Sequence, residues 1–327
     1  MINIVKALHS NEKKTHEKLG LLQVSPGNYV RNPAQSLERN RRAAEQLTPS
    51  PSLSVAVPIT KQHDPTKIVV FMKTHLWSQE LEKFALKILQ ETLKCGVDFY
   101  ILMHTDDGVI YNRIQDSSLK ARTLKFSEAE IRAIYSMGFY SMWLSNHWIM
   151  MWFYQQFGSK YEYFWSIEHD VRISGNSAKI WMHYSPHDFL YVQGNYQNFR
   201  NQLQDCYIGD KLQPQDRFFG FLQLARYSNQ SLKYLDECFK DGENGQDELI
   251  IYSLMRRGGF TGSKQFLQML KRGNWTWLQK KSDDNRKLYQ LAEMQKFGDH
   301  LYIFHPIKAR ADIIPETLSV ALSKATS

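Results

Sequence analysis

Two apolar runs of strand length lie near each other in the first half of the chain, Lys67–Lys73 (KIVVFMK) and Val97–Met103 (VDFYILM). Between them, apolar residues recur at the three- and four-residue spacing of a helix over Ser78–Lys94, with Ser78 as the N-cap and Gly96 as the stop. A buried strand, a helix and a second buried strand predict a parallel βαβ unit. Ligands of such sheets bind at the carboxyl ends of the strands.

The same signals continue through the rest of the chain. Helical spacing extends over about Ser127–Phe157, and an apolar run of strand length, Tyr161–Ile167, follows it. Further elements are predicted as strands at Asp188–Gln193 and Leu301–Phe304, and as helices at Ser228–Lys240 and Gln246–Arg257. Strands and helices that follow one another in this way are typical of an α/β domain.

The first 64 residues differ in composition from the rest of the chain. They are rich in Asn, Lys, Glu, Arg and Ser, and four prolines interrupt the stretch TPSPSLSVAVPITKQHDPTK around their end. We therefore predict a poorly ordered N-terminal extension or linker over residues 1–64. One folded domain is expected over 65–312, followed by a C-terminal tail over 313–327.

The formal net charge of +8 favours anionic partners such as nucleotide diphosphates, anionic lipid or nucleic acid. Nucleic acid is not expected as a partner, because the basic residues are spread out rather than grouped in a dense run. The three cysteines lie far apart without metal-ligand spacing, which favours a reducing, cytoplasm-like compartment. No apolar run reaches the length of about 18 residues that a membrane span needs, so any membrane association is expected to be peripheral.

The strongest chemical signal is YEYFWSIEHDVRISGN, residues 161–176, in which a strand delivers Glu168 and Asp170 at its end. Two carboxylates at i and i+2 project from the same side of an extended backbone and repel unless a cation lies between them. Mg²⁺ or Mn²⁺ is the usual cation, with its other positions given to water and a diphosphate. The alternative is that Glu168 pairs with Arg172 or Lys179 and that Asp170 caps a turn.

This segment resembles the metal-binding motif of glycosyltransferases with the GT-A fold, in which D-x-D or its E-x-D variant ends a strand. FWSIEHDVRISGN is also similar to the pattern around that motif in a family of uncharacterised glycosyltransferase-like proteins known mainly from fungi. The resemblance covers about residues 66–310 and implies a GT-A-like, Rossmann-like mixed sheet, mostly parallel and flanked by helices. It departs at Glu168, where Asp is usual, and this leaves open whether Glu168 binds metal directly or through water.

The resemblance also implies roles for residues outside this segment. FHPIK at 304–308 resembles the His-Pro-x-Lys that closes several such families, which would make His305 a third metal ligand and Lys308 a diphosphate contact. The alternative is that His305 is a satisfied surface or core histidine. Asp247 or Glu248 would be the general base, although two acidic residues at the start of a helix also suit the helix dipole without any catalysis.

Two sets of binding residues follow from the predicted strand ends and from the same resemblance. Donor binding is expected at Thr74, His75, Thr105, Asp106, His169, Arg172 and Lys308. Acceptor binding is expected at Gln193, Asn195 and Arg226.

These features predict a glycosyltransferase that moves a sugar from a nucleotide-diphosphate sugar to a hydroxyl of a glycan, protein or lipid-linked acceptor, with Mn²⁺ or Mg²⁺ as cofactor. A non-catalytic module that binds sugar nucleotides is one alternative. A glycoside hydrolase is another, with Asp247 as the second carboxylate. A nucleotidyltransferase also holds Mg²⁺ on paired carboxylates, but no glycine-rich phosphate loop lies near the first strand.

Overall fold

The computed structural model describes residues 64–105, 108–135, 146–194, 217–275, 279–295 and 300–308. In these ranges the strands are β1 (Ile68–Thr74), β2 (Asp98–His104), β3 (Thr123–Phe126), β4 (Tyr163–Glu168), β5 (Arg172–Ser174), β6 (Phe189–Val192), β7 (Phe221–Ser228), β8 (Gly262–Ser263), β9 (Lys271–Arg272) and β10 (Tyr302–Phe304). The helices are α1 (Gln79–Cys95), α2 (Val109–Asn112), α3 (Ser117–Ala121), α4 (Glu128–Arg132), α5 (His147–Phe157), α6 (Ala178–Trp181), α7 (Asn229–Lys240), α8 (Asp247–Arg257), α9 (Gln265–Leu270) and α10 (Gln279–Met294).

The main sheet has the strand order β3-β2-β1-β4-β7-β6-β8. Strands β3, β2, β1 and β4 are parallel, and only β7 runs antiparallel to both of its neighbours. A second, smaller sheet has the order β5-β10-β9. The predicted mixed, mostly parallel sheet flanked by helices is confirmed, as is the strand-helix-strand unit of β1, α1 and β2.

Strand β1 lies inside the sheet and is buried along its whole length, which explains its uninterrupted apolar sequence. On one face, Ile68, Val70 and Met72 pack in a cluster that includes α1. On the other face, Phe71 packs against Phe153 of α5, with 5.1 Å between ring centroids. Because the sheet is covered on both faces, ligands reach it at its edges and strand ends.

Helix α1 begins and ends where its capping residues predict. The Ser78 hydroxyl accepts a hydrogen bond from Leu81 N at 3.2 Å. At the other end, Gly96 adopts a left-handed conformation with φ of 75°, and its N–H donates to the Leu93 carbonyl. The Ser78 cap fixes the first turn of α1, which contains Glu80, close to the carboxyl end of β1.

The structure departs from the sequence prediction at one interrupted helix and at several elements that the sequence did not predict. The helix expected over 127–157 is not continuous, because α4 ends at Arg132 in a turn and α5 begins at His147. The sequence did not predict the strands β3, β5, β7, β8 and β9 or the helices α2, α3, α6, α9 and α10. The predicted extension and tail lie outside the described residues, except for Asp64.

No helix in the described ranges combines the length and the apolar character needed to cross a lipid bilayer.

Candidate metal centre and carboxylate cluster

Glu168, Asp170 and His305 come together at the carboxyl end of β4. Glu168 is the last residue of that strand, Asp170 lies in the turn after it, and His305 directly follows β10. One ligand atom from each side chain lies within 4.8 Å of the other two. Asp170 is 7% exposed and His305 is 2% exposed, so bulk water does not hydrate the polar atoms of either side chain. The structure thus groups the three residues that the sequence analysis named as metal ligands.

Two buried polar atoms of this group, Asp170 Oδ1 and His305 Nδ1, have no hydrogen-bond partner. Asp170 Oδ1 lies 3.4 Å from His305 Nε2, yet Asp170 Oδ1 and His305 Nδ1 make no hydrogen bond. Burial raises the pKa of Asp170, but the charge of the neighbouring His305 outweighs it and holds that pKa below its usual range. Buried polar atoms without partners cost free energy, and a bound cation would satisfy the carboxylate oxygens and an imidazole nitrogen together.

Backbone contacts bring the two ligand-bearing segments side by side. In the second sheet, β10 pairs antiparallel with β5, so that Phe304 lies opposite Arg172. Beyond the strand, Ile307 N donates to the Asp170 carbonyl at 2.7 Å. The loop that follows β10 therefore lies directly against the turn that follows β4.

Helix α10 holds this loop from its other side through the buried amide of Asn285. Asn285 Nδ2 donates to the carbonyl oxygens of His305 at 2.8 Å, Pro306 at 3.2 Å and Asn274 at 2.9 Å. The Ser282 hydroxyl, one turn earlier, accepts from Lys308 N at 2.7 Å. These bonds fix the main chain on both sides of the His305 side chain.

Glu168 differs from Asp170 in having hydrogen-bonding neighbours. Its Oε1 accepts from Asn146 Nδ2 at 2.8 Å and lies 3.5 Å from Lys73 Nζ, which in turn donates to Asn146 Oδ1 at 2.7 Å. Lys73 is 5% exposed and lies opposite Glu168 in the β1–β4 register. One oxygen of Glu168 is thus engaged, and Oε2 is the one that remains for a metal or a water.

Asp247 and Glu248 form a buried carboxylate pair at the start of α8, close to Glu168. Burial, followed by the charge of Glu168, raises the pKa of Asp247 to about 7. Burial and the neighbouring Asp247 raise the pKa of Glu248 well above its usual value. In the structure, both predicted catalytic carboxylates are therefore close enough to Glu168 for its charge to affect their pKa values.

Two glutamines support this carboxylate pair and leave acceptor atoms free. Gln223 Nε2 of β7 donates to Glu248 Oε1 at 2.8 Å, and Gln246 Nε2 donates to Asp247 Oδ1 at 2.8 Å. Because both amide nitrogens point to carboxylates, their oxygens point elsewhere, and Gln223 Oε1, Gln246 Oε1 and Glu248 Oε2 have no partner. The group thus offers unsatisfied acceptors to a ligand that carries hydroxyl donors.

The predicted donor contacts from the first strands lie at the same edge of the sheet. The Thr74 hydroxyl closes the turn after β1 by donating to the Leu76 carbonyl at 2.6 Å, and the Thr105 hydroxyl accepts from Gly108 N at 2.9 Å. The His75 and His169 rings meet edge to face with centroids 4.9 Å apart. Lys308 lies just after the loop that carries His305. Asp106 lies outside the described residues.

Two arginines assigned to ligand binding have other contacts in the structure. Arg172 is 3% exposed, and its Nη1 donates to the carbonyl oxygens of His169 at 2.7 Å and Val171 at 2.8 Å. Arg226, on β7, is 1% exposed and donates from Nη2 to the carbonyls of Ser185 and His187. Both guanidinium groups thus donate to backbone carbonyls inside the protein, and their roles in ligand binding stay predictions.

The other two residues predicted to bind the acceptor are Gln193 and Asn195. Gln193 is exposed after β6, where its side-chain oxygen accepts from Lys264 Nζ. Asn195 lies outside the described residues.

Sequence reasoning missed several residues that organise the site. Lys73 ends an apolar strand, and a lysine at that position could have been recognised as a partner for the carboxylates of the neighbouring strand end. Asn146, Gln223 and Asn285 lie in stretches without any motif, and only the fold brings their amides to the site.

No protein-family model matches the sequence, and no curated protein matches it. Among solved structures, similarity is found to a glycosyltransferase involved in glycosylation of the major capsid of PBCV-1, with 9% identity and a TM-score of 0.29, over 53% of this chain and 65% of that one. A mannosyltransferase from Pyrobaculum calidifontis in complex with GDP-Man and Mn²⁺ is 12% identical with a TM-score of 0.35, over 71% of this chain and 61% of that one.

A putative glucose-1-phosphate thymidylyltransferase from Bacillus anthracis, in complex with a sucrose, is 11% identical with a TM-score of 0.38, over 72% of this chain and 98% of that one. The chain spans less than two thirds of the length of the two sugar transferases. At such low TM-scores, the fold assignment depends on the strand order and register described above.

Proposed function

We propose that this protein is a metal-dependent glycosyltransferase that uses a nucleotide-diphosphate sugar. The observation that carries the proposal is the buried group of Glu168, Asp170 and His305 at the carboxyl end of β4, with unsatisfied atoms on Asp170 and His305. Ligands of sheets rich in parallel strands bind at that edge. The GT-A-like character suggested by the E-x-D motif is part of the same proposal.

Glu168, Asp170 and His305 would hold Mn²⁺ or Mg²⁺ together. Two carboxylates suit either ion, whereas an imidazole ligand favours Mn²⁺ over the harder Mg²⁺. When bound, such an ion binds a diphosphate and stabilises the charge that develops on it as the sugar departs. Lys308, at the end of the same loop, would add a point charge for the diphosphate.

Asp247 is the better placed of the two candidate bases. A base must be ionised and must have a pKa near the working pH, and the pKa of Asp247 is about 7. Burial and the neighbouring Asp247 raise the pKa of Glu248 well above its usual value. Because two adjacent buried carboxylates do not both ionise readily, Glu248 is assigned the neutral form beside an ionised Asp247. In this assignment Asp247 takes the proton from the acceptor hydroxyl, and the oxygens of Gln223 and Gln246 accept from sugar hydroxyls.

The proposal is tested by incubating the full chain with UDP- and GDP-sugars and Mn²⁺ and measuring release of free sugar. We expect slow hydrolysis of one donor, which stops with chelator and in Asp170→Asn, because the lost charge weakens both ion and donor binding. Asp284→Asn, an exposed aspartate on α10, is the matched control and should hydrolyse at the wild-type rate.

A second arm of the same assay separates a transferase from a binding module. Asp247→Asn should keep donor affinity while turnover falls by a factor on the order of 10² to 10⁴, the usual contribution of a general base. Donor binding without any turnover in the wild type would instead favour the non-catalytic module. Hydrolysis that proceeds unchanged in chelator would exclude the proposed metal dependence.

A further inference from the structure

Each of the two segments that carry the candidate metal ligands is held by a buried arginine. Arg172 Nη1 donates to the carbonyl of His169, inside the turn that contains Asp170. Arg286 Nη2, on α10, donates to the carbonyl of Lys308, in the loop that contains His305. Neither guanidinium is more than 7% exposed. Movement of either arginine would therefore carry a ligand-bearing segment with it.

A single carboxylate, Glu80, connects these two arginines. Glu80 Oε1 lies 3.7 Å from Arg172 Nη2 and forms a closer ion pair with Arg286 Nη1. Glu80 and Arg286 are 206 residues apart in sequence, and Glu80 is held in place by the capped first turn of α1. Two buried guanidinium groups that share one carboxylate repel each other when that charge is removed.

The face of α10 that carries Arg286 makes the other contacts to the same loop. Ser282 lies four residues before Arg286 and binds the main chain of Lys308. Asn285 lies one residue before Arg286 and binds the main chain of His305. Residues at these spacings lie on one side of a helix. The position of α10 against α1, set by Glu80 and Arg286, is therefore transmitted to the backbone on both sides of His305.

We propose that Glu80 is a positioning residue that sets the separation of Asp170 and His305 through Arg172 and Arg286. This inference rests on the proposed metal site. Glu80 touches neither the ion nor the substrate in this arrangement. It acts by keeping two buried cations, and the segments they hold, at the spacing at which one ion can bind both ligands.

Replacing Glu80 by glutamine keeps the size of the side chain and removes its charge. Arg172 and Arg286 should then move apart, and the ligands should no longer meet one ion at its preferred distances. Substitutions of residues that orient metal ligands typically cost about 10- to 100-fold in metal affinity. We expect the dissociation constant for Mn²⁺ to rise by about tenfold or more in Glu80→Gln.

The experiment titrates Mn²⁺ alone into the full chain and counts free Mn²⁺ by electron paramagnetic resonance, far below the melting temperature. The matched control is Glu128→Gln, the same substitution in an ion pair with Arg132 on α4, with 39% exposure against 38% for Glu80. A second variant, Arg286→Lys, keeps the charge that faces Glu80 but loses the bond to the Lys308 carbonyl. If Glu80→Gln does not fold, the Mn²⁺ affinity of Arg286→Lys tests the positioning role instead.

Weaker Mn²⁺ binding in Glu80→Gln and Arg286→Lys, with unchanged binding in Glu128→Gln, is the expected result. If the wild type binds Mn²⁺ and both α1 and α10 variants bind it equally well, the positioning role is overturned while the metal site stands. A wild type that binds no Mn²⁺ overturns the proposed metal site, and the inference falls with it. An equal loss in Glu128→Gln would show a general effect on folding and would also overturn the positioning role.

Discussion

Asp170 and Asp247 lie near the end of β4 in different electrostatic environments, which shift their pKa values in opposite directions. Asp170 has a pKa below its usual range because His305 outweighs the effect of burial. Asp247 has a pKa raised to about 7 because burial and Glu168 both disfavour its charge. Carboxylates whose environments separate their pKa values in this way are suited to different roles, one as a permanent anion and one as a proton acceptor.

The raised pKa of Asp247 has a consequence for stability. A carboxyl group that titrates higher in the folded state stabilises the protein fully below its unfolded pKa of about 3.9, and this contribution is lost as pH rises toward 7. We therefore expect Asp247→Asn to unfold like the wild type at pH 4 and to be more stable at pH 8, by on the order of 1 kcal/mol or more. Urea unfolding in chelator at both pH values measures the difference.

The control for this prediction is Asp241→Asn, an exposed aspartate just after α7. Its stability relative to the wild type should not change between the two pH values. The same relative stability for Asp247→Asn at pH 4 and pH 8 would show that burial does not raise the pKa of Asp247.

At this scale the sequence predicted the charged residues better than their partners. The E-x-D spacing and the FHPIK segment pointed to Glu168, Asp170 and His305, which the structure brings together. The backbone contacts of Arg172 and Arg226 were not foreseen, because a sequence does not show which carbonyl groups of its own chain a guanidinium contacts. Only the structure shows how deeply they are buried and which carbonyl oxygens they contact.

Among the secondary-structure elements, α1 connects fold and site most directly. Its N-cap Ser78 and its first-turn residue Glu80 lie just after β1, so the start of this helix fixes the carboxylate that both arginines share. We expect Ser78→Ala to lower the free energy of unfolding by about 1 kcal/mol, the usual cost of losing an N-cap oxygen.

Ser78→Asp is the companion variant for this prediction, since an aspartate keeps an oxygen that can cap the helix. Urea unfolding should place it near the wild type and above Ser78→Ala. Equal loss in both variants would mean that the effect comes from packing around the 8% exposed Ser78 and not from the cap.

Element boundaries were predictable where apolar periodicity and capping residues agreed, as in β1, α1, β2, α7 and α8. Prediction failed for α10, whose sequence QKKSDDNRKLYQLAEM is mostly polar and shows no clear apolar stripe. That helix uses polar side chains, Ser282, Asn285 and Arg286, to hold a loop. Hydrogen bonds of this kind leave no periodic hydrophobic signal.

For the molecule as a whole, the division predicted from composition remains a prediction. If residues 1–60 form an extension, a chain that begins at residue 61 should keep the melting temperature and the Mn²⁺ affinity of the full chain. The reason is that β1, the first buried strand, begins at Ile68. Thermal unfolding and Mn²⁺ titration of the shortened chain check this, and an insoluble product or a lost site would show that the extension packs on the domain.

The strand order itself was only partly predictable. Parallel neighbours such as β1 and β2 follow from the alternation of strand and helix. The insertion of antiparallel β7 between β4 and β6 does not, because β7 itself was not predicted and its pairing with β4 skips β5 and β6 along the chain. Pairing of that kind depends on the whole fold.

The position of His305 behind β10 determines when the candidate metal site is completed during synthesis. A growing chain that has left the ribosome as far as β8 contains every strand of the seven-stranded sheet, together with Glu168, Asp170, Asp247 and Glu248. It still lacks β10, the Asn285 amide and the imidazole, so the carboxylates have no third ligand beside them. If the proposed metal site is right, a prematurely ended chain would hold the carboxylates without the imidazole, and we expect it to bind Mn²⁺ more weakly than the full chain.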